Sequence, residues 1–377
     1  MQALIVVSSR ELALQIESVF REMGSGFKVN AIYGGRAGAK DKVDLQHKPA
    51  VLVGTPGRLA DHIRRESFSL KNIKTLVLDE FDKSLEIGFD DEMIEILNSL
   101  YYLERKILTS ATKAVPVPDF AEFNHPKEIN FLAEKKSLLE TEIVETESKD
   151  RLDALMAILH LHENDHGIIF CNFKETIQFV GEHLQSMGMN YACFQGGMEQ
   201  KDRERSLIKF RNGTHNILIA TDLAARGIDV PELKYIIHFQ LPHRSEEFTH
   251  RNGRTARMNK EGKAYLLKWK NEKMPDYINL EKTPKVSVDE LPKLRKVVDA
   301  KEWTTLYISG GRKDKISKGD IAGLFIKKGN LKPDEVGAIE LKTDCAFVAV
   351  TEEKADALCQ QFNNTRLKTK KVRVGRM

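Results

Sequence analysis

"KTLVLDEFDKSLEIGF", Lys74 to Phe89, follows a short apolar run with three carboxylates in four residues. The run "TLVL" reads as a strand buried on both faces. It stops at Asp79 and Glu80, and Asp82 follows two residues later. Open parallel sheets bind their ligands at the C-terminal ends of their strands. A carboxylate pair at such an end suits Mg²⁺ carrying a phosphorylated ligand, because Mg²⁺ takes one or two carboxylates and fills its shell with phosphate oxygens and water. The same letters also fit a turn with solvated acids. The segments on either side have to choose between the two.

Their rhythm is that of a parallel α/β domain. "ALIVV" (3–7), "AVLVG" (50–54), "TLVLDE" (75–80) and "KILTSAT" (106–112) are strand-like, and "RELALQIESVFREM" (10–23) has apolar residues at helical spacing. A Glu/Lys-rich stretch over 133–151 reads as a connection. The rhythm then restarts with "GIIFCN" (167–172), "NYACFQ" (190–195), "NILIATD" (216–222), "KYIIHFQ" (234–240) and "GKAYLL" (262–267), with helical stretches between them. A charged segment with scattered prolines follows. Beyond it, strand and helix patterns alternate as βαββαβ, the ferredoxin-like order of RRM modules. The expected architecture is two parallel α/β domains over 1–132 and 133–275, a linker over 276–300, and a small α+β domain over 301–377.

No run approaches the roughly 18 apolar residues of a membrane helix, and the N-terminus shows no basic segment or cleavage site of a signal peptide. The four cysteines, Cys171, Cys193, Cys345 and Cys359, form no C-x-x-C pair and suit a reduced, cytoplasmic protein. Net charge is +4, yet residues 301–377 hold 16 Lys and Arg against 10 Asp and Glu. The excess is densest in "RLKTKKVRVGR" (366–376), which has no acid. Such a patch suggests a polyanion partner. A solvated, lysine-rich surface would look the same.

Several short segments carry chemistry. "SAT" (110–112) offers hydroxyls that could meet the Asp79 and Glu80 carboxylates. "HRNGRTAR" (250–257) crowds three arginines around a glycine, and Arg254 and Arg257 are one helical turn apart. Arginine forks suit phosphate, and such a pair can serve as arginine fingers; a surface cluster pairing with acids is the plainer alternative. "ATDLAARGID" (220–229) reads as a phosphate loop whose Asp229 could take a ribose hydroxyl. "SSRELA" (8–13), "YGG" (33–35) and "TPGR" (55–58) put helix N-termini, glycine amides and arginines at strand–helix junctions, a set suited to a nucleic-acid backbone.

Taken in order, "SSRELA", "GG", "TPGR", "DEFD", "SAT", "IIFCN", "QKDR", "ATDLAARGID" and "HRNGRTAR" resemble the motifs of DEAD-box RNA helicases over nearly the first 270 residues. The last of these, with the C-terminal module, resembles the DbpA-type helicases, whose RRM-like domain recognises a ribosomal RNA hairpin. The resemblance implies two RecA-like lobes, the first incomplete, then an RRM-like domain. It implies ATP and Mg²⁺ as cofactors, with Asp79 on the metal and Glu80 on the hydrolytic water. Ser110 and Thr112 would couple nucleotide to RNA, Asp229 would hold the ribose, Arg254 and Arg257 would be the fingers, and His250 would link the lobes. Arg10, Gly35, Thr55, Arg58, Arg203 and Thr221 would line the RNA groove. The basic residues Arg366, Lys370 and Arg373 would add RNA contacts from the tail. The implied activity is ATP-dependent unwinding of short RNA duplexes in large-subunit ribosome assembly, by a cytoplasmic monomer with no membrane partner.

The chain departs from that family in two places. Phe81 stands where alanine is usual, which could alter packing behind the metal site. And no G-x-x-x-x-G-K-[ST] phosphate loop is present; "GGRAGAKD" (34–41) is nearest but has Ala39 and Asp41 at key positions. The family places that loop, its feeding strand and an adenine-reading motif before "RELA". The expectation is therefore an N-terminally truncated helicase with an exposed edge in its first sheet. The alternative is a non-hydrolysing RNA-binding protein. Tyr307 and Phe347 fall on the candidate central strands of the tail, where alternation puts them either on an RNA face or in the core.

Overall fold

The first 110 residues alternate strand and helix as β1 (Ala3–Val7), α1 (Arg10–Glu22), β2 (Val29–Ile32), α2 (Gly38–Gln46), β3 (Val51–Gly54), α3 (Pro56–Arg64), β4 (Thr75–Asp79), α4 (Phe81–Glu86), α5 (Asp90–Asn98) and β5 (Arg105–Leu108). This is the computed structural model of the chain, which describes residues 1–35, 38–86, 88–110, 119–121, 126–131, 138–162, 165–222, 230, 233–256, 261–291 and 302–377. The five strands form one parallel sheet in the order β2-β3-β1-β4-β5. Both faces are covered, so strand residues alternate between two cores. Leu4 and Val6 of β1 join a cluster with Leu52, Leu76 and Leu78, while Ile5 and Val7 join Leu12, Ala31 and Val53 on the other side. β5 closes the sheet as an edge, and its Ile107 is 40% exposed.

A second unit, built from Ser137–Ala224 and Val230–Met377, holds three further sheets, the smallest of them two-stranded. Its first part runs β6 (Leu139–Thr146), α6 (Leu152–Leu161), β7 (Gly167–Phe170), α7 (Lys174–Ser186), β8 (Tyr191–Phe194), α8 (Gln200–Arg211), β9 (Ile217–Ala220), β10 (Tyr235–His238), α9 (Ser245–Asn252), β11 (Gly262–Trp269) and β12 (Lys285–Ser287). All seven strands are parallel, in the order β12-β6-β11-β10-β7-β9-β8.

Two stretches expected to be connections are strands. Residues 139–146, within the Glu/Lys-rich stretch, pair with β11 from Leu139↔Gly262 to Thr146↔Trp269. Their charges are met across the strands: Glu142 accepts from Lys263 at 2.9 Å and Glu145 from Lys268 at 3.1 Å, while Ile143 and Val144 are fully buried. Composition alone hides such a strand, because its partners lie far along the chain. Within the expected linker 276–300, β12 pairs with β6, Ile278 packs with Met274 and Leu266, and Leu291 joins the main core of this lobe. Residues 292–300 lie outside the described residues.

The C-terminal part runs β13 (Trp303–Ile308), α10 (Lys318–Gly323), β14 (Val336–Leu341), β15 (Ala346–Thr351), α11 (Glu352–Phe362), β16 (Thr365–Leu367), β17 (Lys370–Val372) and β18 (Val374–Arg376). The antiparallel sheet has the order β14-β15-β13-β18. One face packs on the helices: Leu306, Ile308, Val348 and Val350 share a core with Phe325, Leu358 and Phe362. The final strand expected from the βαββαβ order is two pieces. β17 pairs back on β16 as a hairpin, and β18 pairs with β13. No helix among the described residues is long and apolar enough to cross a membrane.

Candidate functional site

In the first lobe, the register Val7↔Asp79 brings the ends of β1 and β4 together. Asp79 accepts from the Thr109 hydroxyl, which follows β5. Glu80 has φ +49°, a left-handed conformation that costs a non-glycine residue about 1–2 kcal/mol. Its carboxylate accepts from Ser8 Oγ at 3.4 Å. So the first two acids of "DEFD" sit at a strand end, aimed by a strained turn and two hydroxyls, while Asp82 is buried in α4. Sequence reading chose "SAT" as the hydroxyl partner and missed Thr109, one residue earlier, and Ser8, whose only signal was its place at the end of the neighbouring strand. Ser110 is exposed; Thr112 lies outside the described residues. Phe81 is 7% exposed and packs with Leu78, Met93 and Phe89, so the large side chain fills the core beneath the acids. Among the described residues no three metal-ligating side chains converge. One or two carboxylates beside hydroxyls fit a Mg²⁺ ion held mainly by phosphate oxygens and water, not an all-protein cage.

The expected groove residues of this lobe are not equivalent. Arg10 opens α1, whose N-cap Ser9 accepts from Leu12 N–H. Its guanidinium lies across Gly35, where a Cβ would sit 2.6 Å from Nη1; with φ +79° there, any other residue would be strained and would push the guanidinium aside. Thr55 precedes Pro56 at the start of α3 and is 9% exposed. Arg58 binds Asp41, with Nε at 2.8 Å and Nη2 at 2.7 Å, and His62 reaches the same carboxylate at 3.1 Å. Asp41 is fully buried. The acid that spoils the phosphate-loop pattern in "GGRAGAKD" is therefore the anchor that ties α2 to α3.

In the second lobe the strand ends converge on Arg251, 1% exposed. Nε and Nη2 donate to Asp222 at 2.7 and 2.5 Å, Nη2 also donates to Asn172 Oδ1 at 2.7 Å, and Nη1 donates to the Gln240 carbonyl at 2.7 Å. The guanidinium stacks over Phe170 at 5.1 Å. One arginine thus joins "IIFCN", "ATD" and "HRNGR". Sequence reading favoured its neighbours and passed over it. Arg254 follows in the turn after α9, its N–H donating to the Arg251 carbonyl at 3.1 Å. His250 precedes Arg251 on α9, and Thr221 follows β9. Arg203 lies in the first turn of α8, 4.7 Å over the Phe194 ring. Asp229 and Arg257 lie outside the described residues. Beside Asn172 and Gln240 a cavity of about 340 Å³ opens, lined also by Arg151, His243, Glu272 and Lys273.

Beneath this network, burial pushes the His238 imidazole down to about 3, with the Arg251 charge adding and a hydrogen bond to Asn252 opposing. Burial likewise lowers His215 to about 4, and His166 is lowered as well. These rings are neutral in the fold but protonate near 6.5 when unfolded. Between about pH 6.5 and 4 the unfolded chain binds more protons, so stability is full above that window and falls on acidification, by at most about 1.4 kcal/mol per pH unit per group. The urea midpoint of the second unit should therefore drop from pH 7 to 5. His238→Gln should flatten that slope by up to one proton; an unchanged slope would clear His238 of the effect.

The tail's basic stretch is less free than its letters suggest. Lys368 pairs with Asp320 at 2.9 Å, Lys370 with Asp314 at 3.0 Å, and Arg376 with Glu352 and Asp356 at 2.5 and 2.6 Å. Arg366, Lys371 and Arg373 are exposed and pair with no carboxylate among the described residues. The lysine–aspartate pairs fasten the β16–β17 hairpin to the segment 312–320, whose Arg312, Lys313, Lys315 and Lys318 are also exposed. The result is one basic edge made from two loops.

Comparison with known families places three matches in order: DEAD/DEAH box helicase over residues 1–119, Helicase conserved C-terminal domain over 150–259, and DbpA RNA binding domain over 305–376. The ATP-dependent RNA helicase DbpA of Escherichia coli is 31% identical over 381 residues, spanning 99% of this chain and 83% of its own length. The chain belongs to the DEAD-box RNA helicases. DbpA of Bacillus subtilis is 29% identical over 405 residues, spanning all of this chain and 85% of its own. Among solved structures, S. cerevisiae Dbp5 bound to RNA and ADP BeF3 superposes with a TM-score of 0.65 at 25% identity, covering 77% of this chain and 78% of that one. These matches make the two parallel sheets RecA-like lobes and the antiparallel sheet a DbpA-type RNA-binding domain. ATP is the nucleotide of this helicase family.

Proposed function

We propose that this DEAD-box helicase separates short RNA duplexes in ribosomal RNA during large-subunit assembly, acting as a cytoplasmic monomer. The observation that carries this reading is the DbpA RNA binding domain behind two RecA-like lobes. In this reading the tail chooses a structured RNA hairpin, and the lobes act on the duplex beside it. Arg10, Gly35, Thr55, Arg203 and Thr221 contact phosphate and sugar, which fixes register without reading sequence. Arg58 can contribute only what Asp41 leaves it. Glu80 positions the attacking water, Arg254 and Arg257 meet charge on the transferring phosphoryl group, and Asp229 meets the ribose. Asp79 would hold Mg²⁺, which would supply charge neutralisation at the phosphates.

The test is phosphate release from ATP with and without a ribosomal stem-loop RNA. Stimulation by RNA is expected. The competing reading is a non-hydrolysing RNA-binding protein, which needs only the DbpA RNA binding domain and its basic edge. Its signature is RNA bound with equal affinity with or without ATP, and no phosphate release.

Both readings need the basic edge. Replacing Arg366, Lys371 and Arg373 with alanine should weaken RNA binding and reduce the slope of log affinity against log salt by about 2, at about 0.7 per lost contact. Lys370→Ala should do less, because Asp314 already holds that ammonium. Unchanged affinity in the triple variant would remove RNA binding from this edge.

A further inference from the structure

The cavity of about 340 Å³ beside Asn172 and Gln240 is walled by the C-terminal ends of four neighbouring strands. Asn172 and Phe173 follow β7, Gln240 follows β10, Glu272 and Lys273 follow β11, and Arg151 follows β6. These strands stand side by side as β6-β11-β10-β7, and the same sheet continues through β9 to β8. The expected groove residues of this lobe, Thr221 and Arg203, lie past the ends of β9 and β8. The cavity therefore prolongs their row, beginning one strand beyond β9, at about 4.8 Å per strand.

Two residues in its wall break local rules. Phe173 is the N-cap of α7, a place that favours Ser, Thr, Asp or Asn; it makes no capping bond and is 53% exposed. Arg151 is the N-cap of α6 and has φ +62°, in the left-handed region that disfavours a side chain. Its Nη2 is fixed on Glu272 at 2.5 Å, yet its Nε is buried with no hydrogen-bond partner among the described residues. Departures of this kind gather at functional sites, and a buried orphan donor calls for a partner. Gln240 is poised in a similar way. Its Oε1 accepts from the Asn172 N–H at 2.9 Å, which fixes the amide and leaves Nε2 with no protein partner among the described residues.

Phe173 and two prolines, Pro242 and Pro275, supply apolar surface, Gln240 supplies a donor, and Lys273 supplies an exposed charge whose nearest carboxylate, Asp276, is 3.9 Å away. A ring, a hydrogen-bonding amide and a cation are the set that holds an unpaired nucleotide, because every base has a π-face to stack and its phosphate follows the charge. The volume is at the small end of the about 300–1,000 Å³ usual for ligand pockets and suits one base with its ribose. None of the expected groove residues is aromatic. We propose that the second lobe holds one unpaired RNA base in this cavity, stacked on Phe173, next along the RNA from the nucleotides gripped at Thr221 and Arg203. This rests on the reading that the lobes bind RNA. Gln240 Nε2 is the donor for the base edge. A base still in its pair cannot enter, so the cavity favours the separated strand over the duplex.

The experiment uses the full chain with ATP and a ribosomal stem-loop RNA that carries a single-stranded flank of about ten nucleotides. The base is removed from one flank position at a time, and each RNA is titrated against the parent and against Phe173→Leu. Expected is one position at which the missing base costs the parent about fivefold or more in affinity, the low end for a stacked base, and costs Phe173→Leu almost nothing. On intact RNA, Phe173→Leu should lose about the same factor, while Phe173→Trp keeps the parent's affinity and the same sensitive position. A ring with a merely structural role would not show this coupling, since a disturbed lobe would weaken every RNA alike. If the parent binds the intact RNA and the two losses simply add at every flank position, the proposal is overturned and the RNA-binding reading stands. If the parent binds no RNA at all, that reading fails and takes this inference with it.

Discussion

Replacing Arg251 with methionine is expected to lower the stability of the second helicase lobe by about 3 kcal/mol, toward the low end for a broken buried ion pair because Asp222 still reaches some solvent. With a urea slope of about 2–3 kcal/mol/M, the midpoint should fall by roughly 1–1.5 M. The size follows from what one guanidinium satisfies. Without it Asp222 loses two donors, Asn172 Oδ1 and the Gln240 carbonyl lose one each, and Phe170 loses its stacked cation. Methionine restores most of the volume, so the loss is polar and not a cavity. Asp222→Asn in the Arg251→Met background should recover part of it, because the stranded charge is removed. Arg254→Met should behave in the opposite way, leaving the midpoint near that of the parent while removing RNA-stimulated turnover. If Arg251→Met unfolds like the parent but loses turnover, Arg251 is a third phosphate contact and not the tie between the three strand ends.

Glu80→Gln is expected to lower ATP turnover by roughly 10²–10⁴, the range for losing a positioned general base, with RNA affinity unchanged. Glutamine keeps the shape and can still accept from Ser8. The change therefore removes charge without moving the turn. Stability should stay level for the same reason, since the left-handed backbone at this position is set by the strand-to-helix junction and not by the carboxylate. The measurement is phosphate release at saturating RNA, paired with an RNA titration. Equal turnover in the two proteins would take Glu80 out of the chemistry. A parallel loss of RNA binding would mean that the site, and not the reaction, had been damaged.

Sequence patterning revealed the parallel sheets because their central strands are covered on both faces. Runs such as "ALIVV" and "GIIF" have no other stable place. It failed at β6 and β12, where the charges that look like a linker are answered by lysines on β11 or lie at the sheet edge. The acids at the end of β4 were legible from their position after an apolar run. Their hydroxyl partners were not, since Ser8 and Thr109 are brought in by neighbouring strands. Arg251 was written in the same motif as Arg254, and nothing local says which arginine turns inward. That depends on Asp222 and Asn172, which meet it only once the sheet exists. The tail shows the same limit. An acid-free stretch looks unpaired, yet Asp314, Asp320, Glu352 and Asp356 come to it from other elements. For Tyr307 and Phe347 the sequence left core and RNA face open. Both lie on the face away from the domain's core, with Tyr307 37% exposed and Phe347 covered.

The pairing of β6 with β11 also sets an order of events during synthesis. β6 is the first strand of its lobe to leave the ribosome, and the strand that completes its ladder, Gly262–Trp269, is among the last. At about 5–20 residues per second the early strand waits on the order of ten seconds with its backbone unpaired. A waiting apolar strand is an invitation to aggregate. Glu140, Glu142 and Glu145 make this one repel its copies, and those carboxylates are partly neutralised only when Lys263 and Lys268 arrive. The charge that disguises the strand in the sequence would then be its protection while the nascent lobe is unfinished.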